Sequence, residues 1–251
     1  MTPDQHLETL RTEGLRLAAM PAAALDAHVP TVPGWTLERV VRHTGRVHRW
    51  VRTTLAAGPG AELDGAAQPE SLPRGPDCLP AYRESLEQLL AEISAHDFDR
   101  GAPTFAGPGT VGFWARRQAH EVAVHRVDAA DALHAAGGPP PEDISAESAA
   151  DGVDEWARLM LVRALPADRI PPELHGRTVH LHGTDTEDAE WLLRFGPEGV
   201  TVEAGHAKGD VAVRGTAQEL LLTMWRRRPL AALEVFGDVT VAQRLVDAAR
   251  I

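Results

Sequence analysis

A chain of 251 residues with 43% apolar side chains has enough material for one large domain or two small ones, each with its own core. Its formal net charge of −11, from 36 acidic and 25 basic residues with no long basic run, argues against nucleic acid and anionic membrane as partners. A lone cysteine excludes an intrachain disulfide and any cysteine-rich zinc motif, and with no membrane-length apolar run and no leader at the N-terminus the expected location is the cytoplasm.

Thr2-Pro3-Asp4-Gln5 predicts the first helix: a threonine N-cap, a proline in the first turn, and a glutamine that completes a capping box. Leu7, Leu10, Gly14, Leu17 and Ala18 continue it at helical spacing. The second helix follows Val32-Pro33-Gly34-Trp35, with Thr36 as N-cap and Trp35 and Val40 placed for a hydrophobic staple. Leu37, Val40, Thr44, Val47 and Val51 share one face, and His43 and His48 border it. These two histidines differ by about 140° around the axis, so one ion could hardly take both. Gly58 to Pro80 reads as a Gly/Pro/Ala-rich connection containing Cys78, a loop cysteine of no evident chemical role.

A third helix is expected over Leu79–His96, and a fourth from Thr110 to near Gly137-Gly138. Another, about Ala146–Ala164, contains Trp156. The first half therefore reads as helical throughout, without strands. After Pro166 the period changes to alternation in Thr178–His182, Trp191–Phe195, Val200–Ala204 and Val211–Arg214, broken by Gly-rich turns. Thr216–Glu219 is a second capping box, opening a helix through Trp225; Leu233–Phe236 is a short strand, and a final helix runs to Ile251. The expected organisation is a two-domain α+β chain, a helical bundle over 1–165 and a small α+β domain over 166–251.

Glu121 and His125 are the most informative candidates for chemistry. Four residues of helix leave two side chains only about 40° apart around the axis, one turn up, which is the spacing of a two-ligand half-site in a helix bundle. His43, on another helix, is the best candidate third ligand. Trp114, Gln118 and Asp128 fall on the same side of the wheel, between apolar flanks. From spacing alone an ion pair on a solvated face is the more ordinary reading. His120-Glu121 begins a zincin motif, but Val124 stands where the second histidine should be. His180 and His182 share one face of a strand; a ligand pair is conceivable, and a half-exposed edge strand is the plainer expectation. Arg116, Arg117 and Arg226-Arg227-Arg228 could bind a carboxylate, although solvated positions are the default. No P-loop, GxGxxG or GxSxG pattern is present.

Taken together, Val32-Pro33-Gly34-Trp35-Thr36, His43 and Arg116-Arg117-Gln118-Ala119-His120-Glu121-Val122-Ala123-Val124-His125-Arg126-Val127-Asp128-Ala129 resemble the mycothiol-dependent maleylpyruvate isomerase family of actinobacteria. Leu181–Thr186, Trp191–Leu193 and Val235–Asp238 resemble its second domain, so the likeness spans nearly the whole chain. It implies a DinB-like four-helix bundle followed by a small sterol-carrier-like α+β domain. It further implies a divalent metal, zinc by family habit, on His43, Glu121 and His125, with mycothiol as co-substrate. The implied reaction is addition or transfer of that thiol to a small electrophile, by isomerase or S-transferase chemistry. Arg226-Arg227-Arg228 stands where the family commonly has a loop Gly-Arg, which unsettles any carboxylate-binding role there. The competing readings are a small-ligand carrier or sensor with a structural metal, and a DinB-like metal-dependent hydrolase.

Overall fold

The computed structural model describes residues 1–60 and 69–249, which form two compact units, 1–142 and 143–251. The first is built from α1 (Pro3–Ala18), α2 (Leu37–Ala57), α3 (Cys78–Ser94) and α4 (Val111–Ala135). Three of these four starts are made by a side-chain cap, the exception being α3. The Thr2 hydroxyl accepts from the Gln5 amide while the Gln5 side chain accepts from the Thr2 amide, and Thr36 and Thr110 cap α2 and α4. Residues 61–68 of the predicted Gly/Pro/Ala-rich connection, and the last two of the predicted final helix, lie outside the described residues.

Four helices bury one another's apolar stripes. Leu10, Val51, Leu86, Leu89 and Trp114 meet in one cluster, and Leu17, Val40, Leu72 and Tyr82 in another. Gly45 lets α2 approach the chain before α3: a Cβ there would lie 2.5 Å from Leu72 Cδ2. Across α1 and α4, the buried Arg126 guanidinium donates to Glu13 Oε2 at 2.5 Å and to the Glu142 carbonyl at 2.5 Å. Two expectations change. The first half is not wholly helical, because β1 (Gly101–Thr104) and β2 (Gly107–Thr110) form an antiparallel hairpin ahead of α4. Its glycines and prolines leave no apolar alternation to read. And Cys78 is not a loop residue: it is the first residue of α3 and fully buried.

The second unit contains α5 (Ala146–Glu155), which continues through a π-helical turn (Trp156–Leu161) into the short α6 (Val162–Ala164). This segment was expected in the bundle; α5 packs instead on α7 (Ala217–Met224) of its own unit. The break falls at Gly137-Gly138-Pro139-Pro140-Pro141, where neither helix nor strand can continue. Strands β3 (Thr178–Gly183), β4 (Glu190–Gly196), β5 (Gly199–Ala204), β6 (Val211–Gly215) and β7 (Glu234–Gly237) form one mixed sheet of order β5-β4-β3-β6-β7, with only β3 and β6 parallel. The helices α7 and α8 (Val239–Ala248) pack on this sheet. β3 is thus the central strand, not an edge, and it holds His180 and His182 inside a five-stranded ladder. The architecture is α+β: a helical bundle, then a sheet with helices. Among the described residues no helix is long and apolar enough to cross a membrane.

Candidate metal centre

His43 comes from the middle of α2, and Glu121 and His125 from one face of α4. The donor atoms of all three lie within 4.8 Å of one another. Glu121 Oε1 stands 3.2 Å from His43 Nε2 and 3.3 Å from His125 Nε2. Zinc bonds of about 2.0–2.1 Å place neighbouring tetrahedral ligands about 3.3 Å apart, so the donor set fits a small divalent ion with little rearrangement. The three side chains keep 26%, 20% and 11% of their surface, which leaves the triad reachable by a small molecule.

A supporting shell holds the triad. The buried Asp128 carboxylate accepts from His125 Nδ1 at 2.9 Å. In the neutral ring that bond puts the proton on Nδ1 and leaves the Nε2 lone pair facing the other donors, as metal-binding histidines are held. Arg117, expected in solvent, is 3% exposed and donates to Glu121 Oε2 at 3.1 Å. That leaves Oε1 for the two imidazoles. Trp35 stacks on His125, with centroids 5.8 Å apart and planes 9° apart, and meets His43 edge-on at 5.1 Å. Arg39 covers the indole at 4.9 Å. The tryptophan therefore forms an aromatic wall of the site, a role that its place before an N-cap did not announce.

Electrostatics follow from these contacts. Burial disfavours the Glu121 carboxylate, yet His125, His43 and Arg117 together hold its pKa well below the ordinary range. Burial also opposes the charged form of His125, but Glu121 and Asp128 outweigh it and lift that pKa to about 9 without an ion. His48 is not among the donors. It is fully buried against Tyr82, with Ser85 Oγ 3.5 Å from Nδ1, and burial lowers its pKa to about 3. His120 packs edge-on against His6 of α1 at 5.9 Å. The Cys78 thiol is pushed up to about 11, by burial first and Glu38 second, so a thiolate nucleophile there is disfavoured. Arg227 and Arg228 turn their guanidinium groups back onto the carbonyls of Trp225 and Arg227, each at 2.8 Å.

Comparison with known proteins agrees with this frame. The family described as mycothiol maleylpyruvate isomerase N-terminal domain matches residues 7–130, and its C-terminal domain matches residues 147–244. No curated protein sequence matches the chain. Among solved structures, the mycothiol-dependent maleylpyruvate isomerase is similar at 13% identity and a TM-score of 0.59, covering 89% of this chain and 88% of that one. A histidine-to-alanine variant of that enzyme is similar at 12% identity and the same TM-score and coverage. At such identities the likeness speaks for the fold, while the two domain matches in sequence order speak for descent: the chain belongs to the mycothiol-dependent maleylpyruvate isomerase family.

Proposed function

We propose that the chain is a metal-dependent enzyme that adds mycothiol to a small electrophile carrying an activated double bond. Isomerisation of a cis-enone acid such as maleylpyruvate is the leading reaction. One observation carries the reading: His43, Glu121 and His125 converge from two helices while the Asp128 carboxylate lies 2.9 Å from His125 Nδ1, behind the ring. Three protein donors of mixed nitrogen and oxygen type leave a coordination position open, the arrangement of catalytic rather than structural zinc sites. A bound divalent ion would supply Lewis acidity, lowering the pKa of a thiol at that position.

The chain's own groups do the rest. Asp128 would hold the remaining His125 proton on Nδ1 once an ion displaces the one on Nε2, so that the ring offers its Nε2 lone pair. Arg117 stops Glu121 from rotating and balances its charge. Trp35 walls one side of the triad and would limit water around a thiol bound there. With its pKa so lowered, the thiol would pass its proton to solvent, and the thiolate adds to the β-carbon of the double bond. A C–S bond forms and the π electrons move onto the conjugated carbonyl oxygen. The former double bond is now single and rotates. Re-formation of the carbonyl expels the thiolate and leaves the trans alkene, with no net consumption of thiol. If the adduct is protonated and released instead, the same first step gives an S-transferase.

Cys78 has no part in this chemistry, because the sulfur comes from outside. The test is turnover of maleylpyruvate and a panel of cis-enones and other electrophiles, with and without mycothiol and a chelator. Activity that needs both thiol and ion, and that is lost in Glu121→Ala, supports the reading. Full turnover without thiol would assign the site to hydrolysis instead.

A further inference from the structure

The sheet of the second unit carries another group of donors. His180 and His182 project from one face of β3 because strand side chains alternate with period two. Glu190, the first residue of β4, pairs directly with His182 in the antiparallel register and therefore shares that face. β5 ends at Ala204, where the Gly205 amide donates to the Glu190 carbonyl at 2.9 Å. Gly205 has φ +109°, a conformation that side-chain-bearing residues rarely adopt, and the turn there delivers His206 to the same carboxylate. His180 Nε2, His182 Nδ1 and His206 Nδ1 lie 2.9, 3.2 and 2.7 Å from one atom, Glu190 Oε2.

Three imidazole nitrogens around one carboxylate oxygen are hard to satisfy by hydrogen bonding. A carboxylate oxygen has two lone pairs for them. His180 Nε2 is buried and approaches that oxygen to 2.9 Å, but not along a well-directed hydrogen-bond line. The imidazole planes stand 79°, 88° and 87° apart in the three pairs, so the rings converge from different directions rather than stacking. The nitrogen-to-oxygen distances of 2.9, 3.2 and 2.7 Å would have to open modestly to reach the about 3.3 Å edge of a tetrahedral zinc shell. A cation in the middle would turn four competing groups into four ligands.

We propose that His180, His182, Glu190 and His206 bind a second divalent transition-metal ion, of zinc-like preference. Three imidazoles and one carboxylate select borderline metals over magnesium and calcium. Four protein donors fill a tetrahedral shell, so this ion has a structural part. It ties the turn after β5 to the centre of the sheet. The other end of that connection is already fixed, since Asp210 Oδ2 accepts from both the amide and the hydroxyl of Thr178 at 2.8 Å. Only the end carrying His206, whose side chain is 78% exposed, depends on the ion.

The inference stands independently of the proposed catalytic site, and one experiment separates them. Untagged full-length chain is stripped of metal and titrated with Zn2+ by calorimetry, then with Co2+ as an optical probe of tetrahedral coordination. The expected result is about two equivalents per chain. His182→Ala/His206→Ala should retain about one equivalent, and Glu121→Ala/His125→Ala should retain the other. His206→Ala alone, at an exposed position that does not threaten folding, should weaken one of the two binding events by at least about tenfold. Zn2+ stoichiometry and affinities that are unchanged in His182→Ala/His206→Ala overturn the proposal. So does a wild-type stoichiometry of about one that is abolished by Glu121→Ala/His125→Ala. If only the catalytic reading fails, the Glu121→Ala/His125→Ala titration matches wild type while the sheet variant still loses its equivalent.

Discussion

The bundle and the sheet each gather histidines around a glutamate, and they do so by different geometry. In the bundle, one helix supplies two donors a turn apart and a second helix supplies the third from 78 residues away. In the sheet, the donors come from alternation along β3, from cross-strand register to β4, and from a glycine turn beyond β5. The surroundings differ more than the donors do. Glu121 has Arg117 behind it, and His125 has the fully buried Asp128. Glu190 has the three imidazoles around its Oε2, and one of them, His206, is largely in solvent. A supported triad with room for another ligand suits chemistry, whereas a four-donor group on a sheet surface suits fixation of a turn.

The largest expected effect tests this contrast directly. Glu121→Ala or His43→Ala should lower thiol-dependent turnover by at least about a hundredfold, since a Lewis acid contributes several kcal/mol to such a step. His182→Ala/His206→Ala, measured in the same assay, should stay within about twofold of wild type. Equal losses from the bundle variants and the sheet double variant would erase the distinction between a catalytic and a structural cluster. Next in size is the support behind His125. Asp128→Asn leaves every proposed ligand in place and should weaken metal binding at the bundle site by roughly 10–100-fold. A competition titration against a chromogenic chelator reads this, and unchanged affinity would mean that the Nδ1 bond is only packing.

The third difference concerns pH. His48 is buried neutral in the bundle, with a folded pKa of about 3 against an ordinary 6.5. The unfolded chain therefore binds the extra proton first. The stability that neutral His48 contributes is whole above pH 6.5 and is lost as pH falls toward 3, by up to about 1.4 kcal/mol per pH unit. Urea unfolding of the metal-free chain at pH 7 and pH 4.5, followed by helical circular dichroism, should show His48→Leu flattening that loss. An identical pH slope in wild type and variant would remove His48 from the account. The smallest effect belongs to Cys78. Cys78→Ala avoids burying a hydroxyl and should keep thiol-dependent turnover within about twofold, because the thiol is fully buried and pushed up to about 11. Loss of activity with metal content intact would return the nucleophile to the protein.

Helix starts were legible because a cap is local: Thr2, Thr36, Thr110 and Thr216 each satisfy an amide three residues on. The Glu121/His125 pair was legible for the same reason, as was the strand alternation after Pro166. The hairpin at Gly101–Thr110 was not, since its short glycine- and proline-containing strands lack an apolar alternation. Asp128 could be placed on the right side of its helix, but whether it reached water or His125 Nδ1 depended on neighbours in other helices. Arg117 was misjudged in the same way, since its residue type suits solvent and only packing turns it to Glu121; Trp35 was read as a staple, and only the tertiary structure adds its stacking on His125.

By itself the sequence determined what short-range periods determine: the caps, the two-part helical and strand grammar, and the placing of Glu121 and His125 on one face of one helix. The tertiary structure alone decided where the units divide, since helical period is the same in either unit and only packing assigned Ala146–Ala164 to the second. It also decided that β3 lies at the centre of its sheet, which turned His180 and His182 from an expected edge pair into part of a four-donor cluster. Glu190 and His206 join that cluster through strand register and a positive-φ glycine. Strand pairing brings together residues distant in sequence, and a chain's local spacing does not say which strands will be neighbours.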